Sequence, residues 1–252
     1  MKIWAMNKRR HRCAQIWICV PLLWACSAGG VAQVTTVRGH IAVVGTAKAS
    51  HTALPGTVVW LTPVPGAASD PPLAAPSAPG NLRLVQKNKS FEPHILVVPA
   101  GSSVEFPNRD PFFHNVFSLF EGKRFDLGLY EAGTTRDVHF DKPGISYIFC
   151  NIHAEMSAVV IALDTPYYAI SGPRGELSIA NVPSGRYQLR VWSEVSLPDE
   201  LKEMTREVTI SGTSASLGTL QIAETQLAHV HKNKYGRDYD RPAPSSPAYE
   251  QR

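Results

Sequence analysis

The stretch Phe149-Cys150-Asn151-Ile152-His153-Ala154-Glu155-Met156 decides how this chain is read, because it sets a thiol, an imidazole and a thioether within a single short run. A soft thiolate, a borderline imidazole and a weak thioether are the donors that select copper over harder ions, in a His₂Cys trigonal site with a long axial Met. Such a site needs a second histidine. His114, in Asp110-Pro111-Phe112-Phe113-His114-Asn115-Val116, is the candidate. A cysteine standing alone would be read as buried and inert, and it is the His and Met at these spacings that overturn that reading.

The other cysteines, Cys13, Cys19 and Cys26, all fall in a stretch with the features of an export signal. Lys2, Lys8, Arg9, Arg10 and Arg12 form a basic opening, the apolar run from Ala14 to Cys26 is too short to span a bilayer, and small residues follow. Residues 1–32 are therefore expected to be a signal peptide, with cleavage after Ala28 or after Ala32. Leu23-Trp24-Ala25-Cys26 faintly resembles a lipoprotein box, although the bulky Trp24 argues against lipidation at Cys26. Arg9-Arg10 suggests a twin-arginine signal, but the residues around it fit poorly. Once the leader is removed, Cys150 is the only thiol left and no intramolecular disulfide can form. A free thiol in an oxidising compartment makes sense if a metal occupies the sulfur, since coordination deprotonates it and removes it from disulfide chemistry.

The formal charge of +4 comes from 25 basic and 21 acidic residues, and the five basic side chains named above all lie in the leader. Without them the chain is close to neutral, which gives no reason to expect nucleic acid as a partner. No later apolar stretch is long enough for a transmembrane helix.

Beyond the leader the pattern is short alternating strands broken by Pro and Gly, which signals an all-β sandwich or barrel. Strands are predicted at 34–44, 56–61, 82–86, 94–98, 103–106, 115–119, 135–140, 145–150, 158–163, 175–179, 187–192, 206–210 and 218–222. Alternation is clearest where Val138 and Phe140 would point one way, Asp137 and His139 the other. The segment 67–80, dense in Pro, Ala and Ser, reads as a linker. Residues 223–252 turn polar and read as a disordered tail, in which His229 and His231 are more at home solvated than on a metal. His94 and His139 read as surface or satisfied core residues. Phe112, Phe113 and Phe117 are candidates for an apolar collar around the site as well as for ordinary core.

Residues 81–164 resemble the cupredoxins, the Greek-key β-sandwiches that hold type 1 copper. Phe91-Glu92-Pro93 and the run from Val98-Pro99-Ala100-Gly101 to Phe106-Pro107-Asn108 are similar to the paired opening strands of plastocyanin and amicyanin, and His114-Asn115-Val116 looks like their first ligand with its two followers. The Cys-x-x-His-x-x-Met loop is similar to that of amicyanin, shorter than the loop of plastocyanin. The resemblance implies His114, Cys150 and His153 as strong equatorial ligands, Met156 as the weak axial one, and Asn115 as a supporting residue whose side chain bonds across to the ligand loop. It also implies that the edge of the His153 imidazole reaches the surface as an electron port. Geometry gives a separate reason for the spacing. In a sandwich Cys150 can end one strand and Met156 begin its neighbour, so that the turn between them projects His153 to the same point.

The flanking segments suggest a second domain. Gly172-Pro173-Arg174-Gly175-Glu176-Leu177-Ser178-Ile179 and Val182-Pro183-Ser184-Gly185-Arg186-Tyr187 resemble the later half of carboxypeptidase regulatory-like, transthyretin-like sandwiches, and Leu54-Pro55-Gly56-Thr57-Val58-Val59-Trp60-Leu61 resembles their second strand. Neither half has enough strands to bury a core. Residues 34–66 plus 165–222 are therefore expected to form one discontinuous domain into which the cupredoxin is inserted, a tandem arrangement with 34–66 adding strands to the cupredoxin being the alternative. The combination resembles exported proteins called methylamine utilisation proteins.

The reading that results is a periplasmic or secreted carrier of single electrons with one type 1 copper ion, and not an enzyme. Its partners would be transient redox proteins, an amine dehydrogenase or a cytochrome among them. Two alternatives stand beside it: a copper storage or delivery protein, and a structural or ligand-recognition sandwich with a secondary copper site. Cysteine hydrolase chemistry is disfavoured, because Cys150 and His153 sit too close in sequence for a separated nucleophile and base.

Overall fold

The structure is a computed structural model that describes residues 1, 34–45, 56–66, 82–119, 122–212, 214–225 and 231–239. The expected signal peptide, Met1 apart, and the expected linker 67–80 lie outside the described residues, as does His229. The described chain is nearly all β. Its strands are β1 (Val34–Gly45), β2 (Val58–Pro63), β3 (Val85–Lys87), β4 (Ser90–Glu92), β5 (Ile95–Pro99), β6 (Ser102–Pro107), β7 (His114–Ser118) and β8 (Phe125–Tyr130). There follow β9 (Thr135–Phe140), β10 (Gly144–Cys150), β11 (Ser157–Leu163), β12 (Tyr168–Ile170), β13 (Glu176–Pro183) and β14 (Gly185–Trp192). A short helix, α1 (Pro198–Glu203), precedes β15 (Arg206–Ile210) and β16 (Ser214–Glu224). No described helix is long and apolar enough to cross a membrane.

A five-stranded sheet runs β5-β11-β10-β7-β8, parallel between β5 and β11 and antiparallel elsewhere. Facing it, β6 pairs with β9, and bridges from Arg83 to Glu105 and from Gln86 to Asn108 lay the chain around β3 beside β6. The alternation in β9 is as expected, with Val138 and Phe140 buried and Asp137 and His139 exposed. Between these layers lies one core, which includes Leu84, Phe106, Val116, Phe140, Ile148 and Cys150.

A second core is built by the sheets β13-β1-β16 and β12-β2-β14-β15. Among the described strands, β1 and β2 pair only with strands that follow residue 167: β1 with β13 and β16, β2 with β12 and β14. Gly175 is needed where the chain crosses β1. Its φ is +79°, its carbonyl accepts the Ile41 N–H at 2.7 Å, and a Cβ there would sit 2.2 Å from the Ile41 carbonyl oxygen.

The two cores share a wall. Along β11, Ala158, Val160 and Ala162 face the first core, while Val159, Ile161 and Leu163 face the second. That is why residues 158–163 read as a continuous apolar run, as befits a strand buried on both faces. Neighbouring β5 behaves alike, with Val98 in the first core and Val97 in the second. Polar ties cross the same junction: the Trp192 indole N–H donates to the Tyr147 hydroxyl at 3.3 Å, and His94 Nε2 lies 2.7 Å from Glu194 Oε2.

Strands β8 and β12 and helix α1 were not expected, whereas β4 falls on the Phe91-Glu92-Pro93 run likened to an opening strand. Strand β8 pairs with β7 through a register shift between Asn115 and Phe117, carries Gly128 at φ +67° and leaves Leu129 exposed, so its alternation is broken. Helix α1 is only six residues long and buries only Leu201, too little for a helical period to register.

Candidate metal centre

Strands β7 and β10 are antiparallel neighbours, with Cys150 opposite Val116, so the first residue of one and the last residue of the other arrive at the same end of the sheet. His114 and Cys150 are those residues. The chain then turns back within seven residues. The Cys150 N–H donates to the Met156 carbonyl at 3.2 Å and the Met156 N–H to the His153 carbonyl at 3.1 Å, a closed loop that aims His153 inward. Met156, one residue before β11, is fully buried in the same core as Cys150.

The outcome is a tight group. Nδ1 of His114 and Nδ1 of His153 each lie 3.6 Å from Cys150 Sγ, and the three ligand atoms fall within 4.8 Å of one another. Typical bond lengths of about 2.0 Å to nitrogen and about 2.3 Å to sulfur, at roughly 120°, put the two donors about 3.7 Å apart, so the spacing fits a trigonal metal. Two imidazoles, a thiol and a buried thioether on the same loop are also the donor chemistry that copper prefers.

The protonation states suit metal uptake. Burial pushes the His153 imidazole down to about 4, with the neighbouring His114 adding to the effect. Burial also lowers His114, opposed by the Asp110 carboxylate. Both rings are therefore neutral near pH 7. Burial raises the Cys150 thiol, against backbone N–H groups of Asn115, Ile152 and His153 that point at the sulfur. In the metal-free protein the thiol keeps its proton, and a metal must displace it.

Asp110 was missed in the sequence. Its Oδ2 takes the Nε2–H of His114 at 2.9 Å, which leaves the Nδ1 lone pair facing the sulfur. The carboxylate is itself fixed by the N–H groups of Asn88 at 2.6 Å and Lys89 at 3.0 Å, while its own N–H donates to Asn108 Oδ1. An aspartate four residues before a candidate ligand histidine was the available signal, but before a proline it reads as a turn residue.

Two expectations need correction. The side chain of Asn115 does not reach the ligand loop: its amide donates to Asp126 Oδ1 at 2.7 Å, and the bond to the loop comes from its backbone carbonyl, which accepts the Asn151 N–H at 2.8 Å. The strand backbone is closer to the loop than the side chain, which projects toward β8. His153 is not an exposed port either. It is only 6% exposed, and the Phe112 ring lies against the site, 5.4 Å from both the His153 and the His114 rings. Of the other collar candidates, Phe113 is exposed and Phe117 is buried against Phe149.

Part of the expected disordered tail is ordered over the loop. The Tyr239 hydroxyl donates to the Cys150 carbonyl at 2.6 Å, the Lys234 N–H donates to Asn151 Oδ1 at 3.0 Å, and the His231 ring stacks on Phe149 at 4.2 Å. The Lys234 ammonium also binds Asp126 at 2.8 Å. Such ties use backbone groups and single polar atoms, which leave no hydrophobic pattern in the sequence.

No protein-family model and no curated protein matches the chain. Solved structures do match part of it. A purple cupredoxin from Nitrosopumilus maritimus aligns at 20% identity over 33% of this chain and 100% of its own, with a TM-score of 0.30. A reduced mutant of amicyanin aligns at 22% identity over 38% of this chain and 96% of its own, with a TM-score of 0.32. A Cu-containing nitrite reductase from Thermus scotoductus aligns at 24% identity over 37% of this chain but only 27% of its own, with a TM-score of 0.32.

Proposed function

We propose that this chain is a type 1 copper protein that carries single electrons between redox partners in the periplasm, and that it is not an enzyme. The observation that carries the reading is the triangle of His114 Nδ1, Cys150 Sγ and His153 Nδ1, each nitrogen 3.6 Å from the sulfur. Copper bound there supplies one electron per cycle between Cu(II) and Cu(I). The chain's part is to hold three strong donors rigidly, with Met156 as the weak fourth, so that little rearrangement accompanies the change. Asp110 fixes the His114 tautomer and Phe112 keeps water from both imidazoles.

The export signal read at residues 1–32 supports the periplasm. Phe113, next to His114 in sequence, is exposed and offers an apolar contact near the site for a transient partner such as an amine dehydrogenase or a cytochrome. The pairing of β1 and β2 with strands beyond residue 167 supports a discontinuous domain of residues 34–66 plus 165–222 around a metal-binding domain at 81–164.

The test is the copper-loaded protein. It should show the intense blue absorption of thiolate-to-Cu(II) charge transfer, the matching electron paramagnetic resonance spectrum and reversible reduction. Cys150→Ser should abolish the band, and Met156→Leu should keep it with an altered potential, because a weakly held thioether would tune the centre without building it. A colourless copper complex would sink the reading. The burial of His153 favours a second one, copper holding without electron exchange, for which the mark is a blue protein with slow electron self-exchange.

A further inference from the structure

The segment 231–239 meets the ligand loop at several points, and their hydrogen-bond directions can be assigned. A phenol has one proton and a carbonyl can only accept. Tyr239 therefore gives its proton to the Cys150 carbonyl, 2.6 Å away, and must accept from Nδ1–H of His231, 3.1 Å away. The chain from His231 through Tyr239 to Cys150 runs one way, and each bond polarises the next. Two further ties hold the segment in place. Its Lys234 N–H takes the Asn151 side chain, and the Lys234 ammonium takes Asp126, whose other oxygen holds the Asn115 amide beside His114. The His231 ring also lies flat on Phe149, at 26° to its plane.

These contacts grip the outer side of the loop, opposite the sulfur. The inner side depends on the loop's path, since it is the turn from Cys150 to Met156 that brings His153 Nδ1 to 3.6 Å from Cys150 Sγ. Among the described residues, that path is held from within by the bonds of Met156 to Cys150 and to His153, and from β7 by the Asn115 carbonyl, which accepts the Asn151 N–H. We infer that Tyr239, supported by His231, is a positioning residue for the metal centre: the segment 231–239 holds the Cys150–Met156 loop in its metal-accepting shape from outside, before any metal binds.

The inference deepens the copper reading, and its first test needs no copper. In metal-free protein, Tyr239→Phe should speed amide hydrogen exchange at Ile152 and His153 by roughly fivefold, the worth of one lost hydrogen bond, while the amides of β14 stay unchanged. His231→Phe, which keeps an aromatic ring on Phe149 but removes the donor to Tyr239, should give a smaller change at the same amides. In copper-loaded protein, Tyr239→Phe should shift the reduction potential and hasten copper loss to a chelator. Unchanged exchange at Ile152 and His153 would overturn the proposal, as would equal acceleration in β14, which would make the segment a general stabiliser. If the loop amides respond but the protein takes up no copper, the copper reading fails and the positioning role stands.

Discussion

Asp110 Oδ2 and His114 Nε2 stand 2.9 Å apart with both side chains buried, and this contact decides which nitrogen of the ring faces Cys150. Without the carboxylate the ring proton is free to move to Nδ1, and the N–H groups of Asn88 and Lys89 lose their acceptor. Asp110→Ala should weaken copper binding by about 10–100-fold, with Asp110→Asn between it and the parent. Competition against a chelator of known affinity measures this, and an Ala variant that binds as tightly as the parent would refute the role.

Phe112 covers both imidazoles. Phe112→Ala should let water reach His153, raise the local polarity and lower the reduction potential by favouring the more highly charged Cu(II). Electron self-exchange should quicken if the covering ring is what limits it. Voltammetry and line broadening in mixed oxidation states read the two effects separately.

His94 makes one separable contribution to the pH dependence of stability. Its pKa is raised, first by its hydrogen bond to Glu194, with burial opposing and the Glu194 charge and the Ser157 carbonyl adding. A raised folded pKa means that this stabilisation is fully present below the unfolded value of about 6.5 and is lost as pH rises through the folded value. Both partners are partly exposed, so the effect is small and screened by salt. The lowered pKa values of His153 and His114 push the other way in metal-free protein, so the share of His94 is read as a difference: the melting-temperature gap between the parent and His94→Gln should narrow on going from mildly acidic to mildly alkaline buffer.

The shared wall predicts a single unfolding transition. Ile148 lies in the first core and Ile161 in the second, both fully buried, and each to Ala should cost about 2–5 kcal/mol. Calorimetry should show either change moving one common peak. Two peaks, each sensitive to only one substitution, would show that the cores melt independently.

What was legible in the sequence follows from what leaves a pattern. His114, Cys150 and His153 stood out because scarce donor types recurred at loop spacing, and the structure brings them together. Alternation marked strands such as β9, where one face is wet. It failed at β8, where a bulge and Gly128 break the period, and it gave no hint of why 158–163 is apolar throughout. Asp110 was hidden in an Asp-Pro turn, and the cover on His153 comes from Phe112, a residue quoted only as one of several collar candidates. The ordered stretch 231–239 was least legible, because a backbone N–H and a phenol bind as well as a hydrophobic stripe but look like any polar tail.

Strand β11 has a consequence for how this protein can be divided. Cutting out residues 82–163 would strip the cover from Val97, Val159 and Ile161, and a soluble fragment would present that apolar face to water or to another copy of itself. The part that carries the candidate metal centre is thus not a portable module. It would need a new lining on β5 and β11 before it could stand alone, and any transplant should carry polar replacements on that face alone, leaving Val98, Val160 and Ala162 untouched.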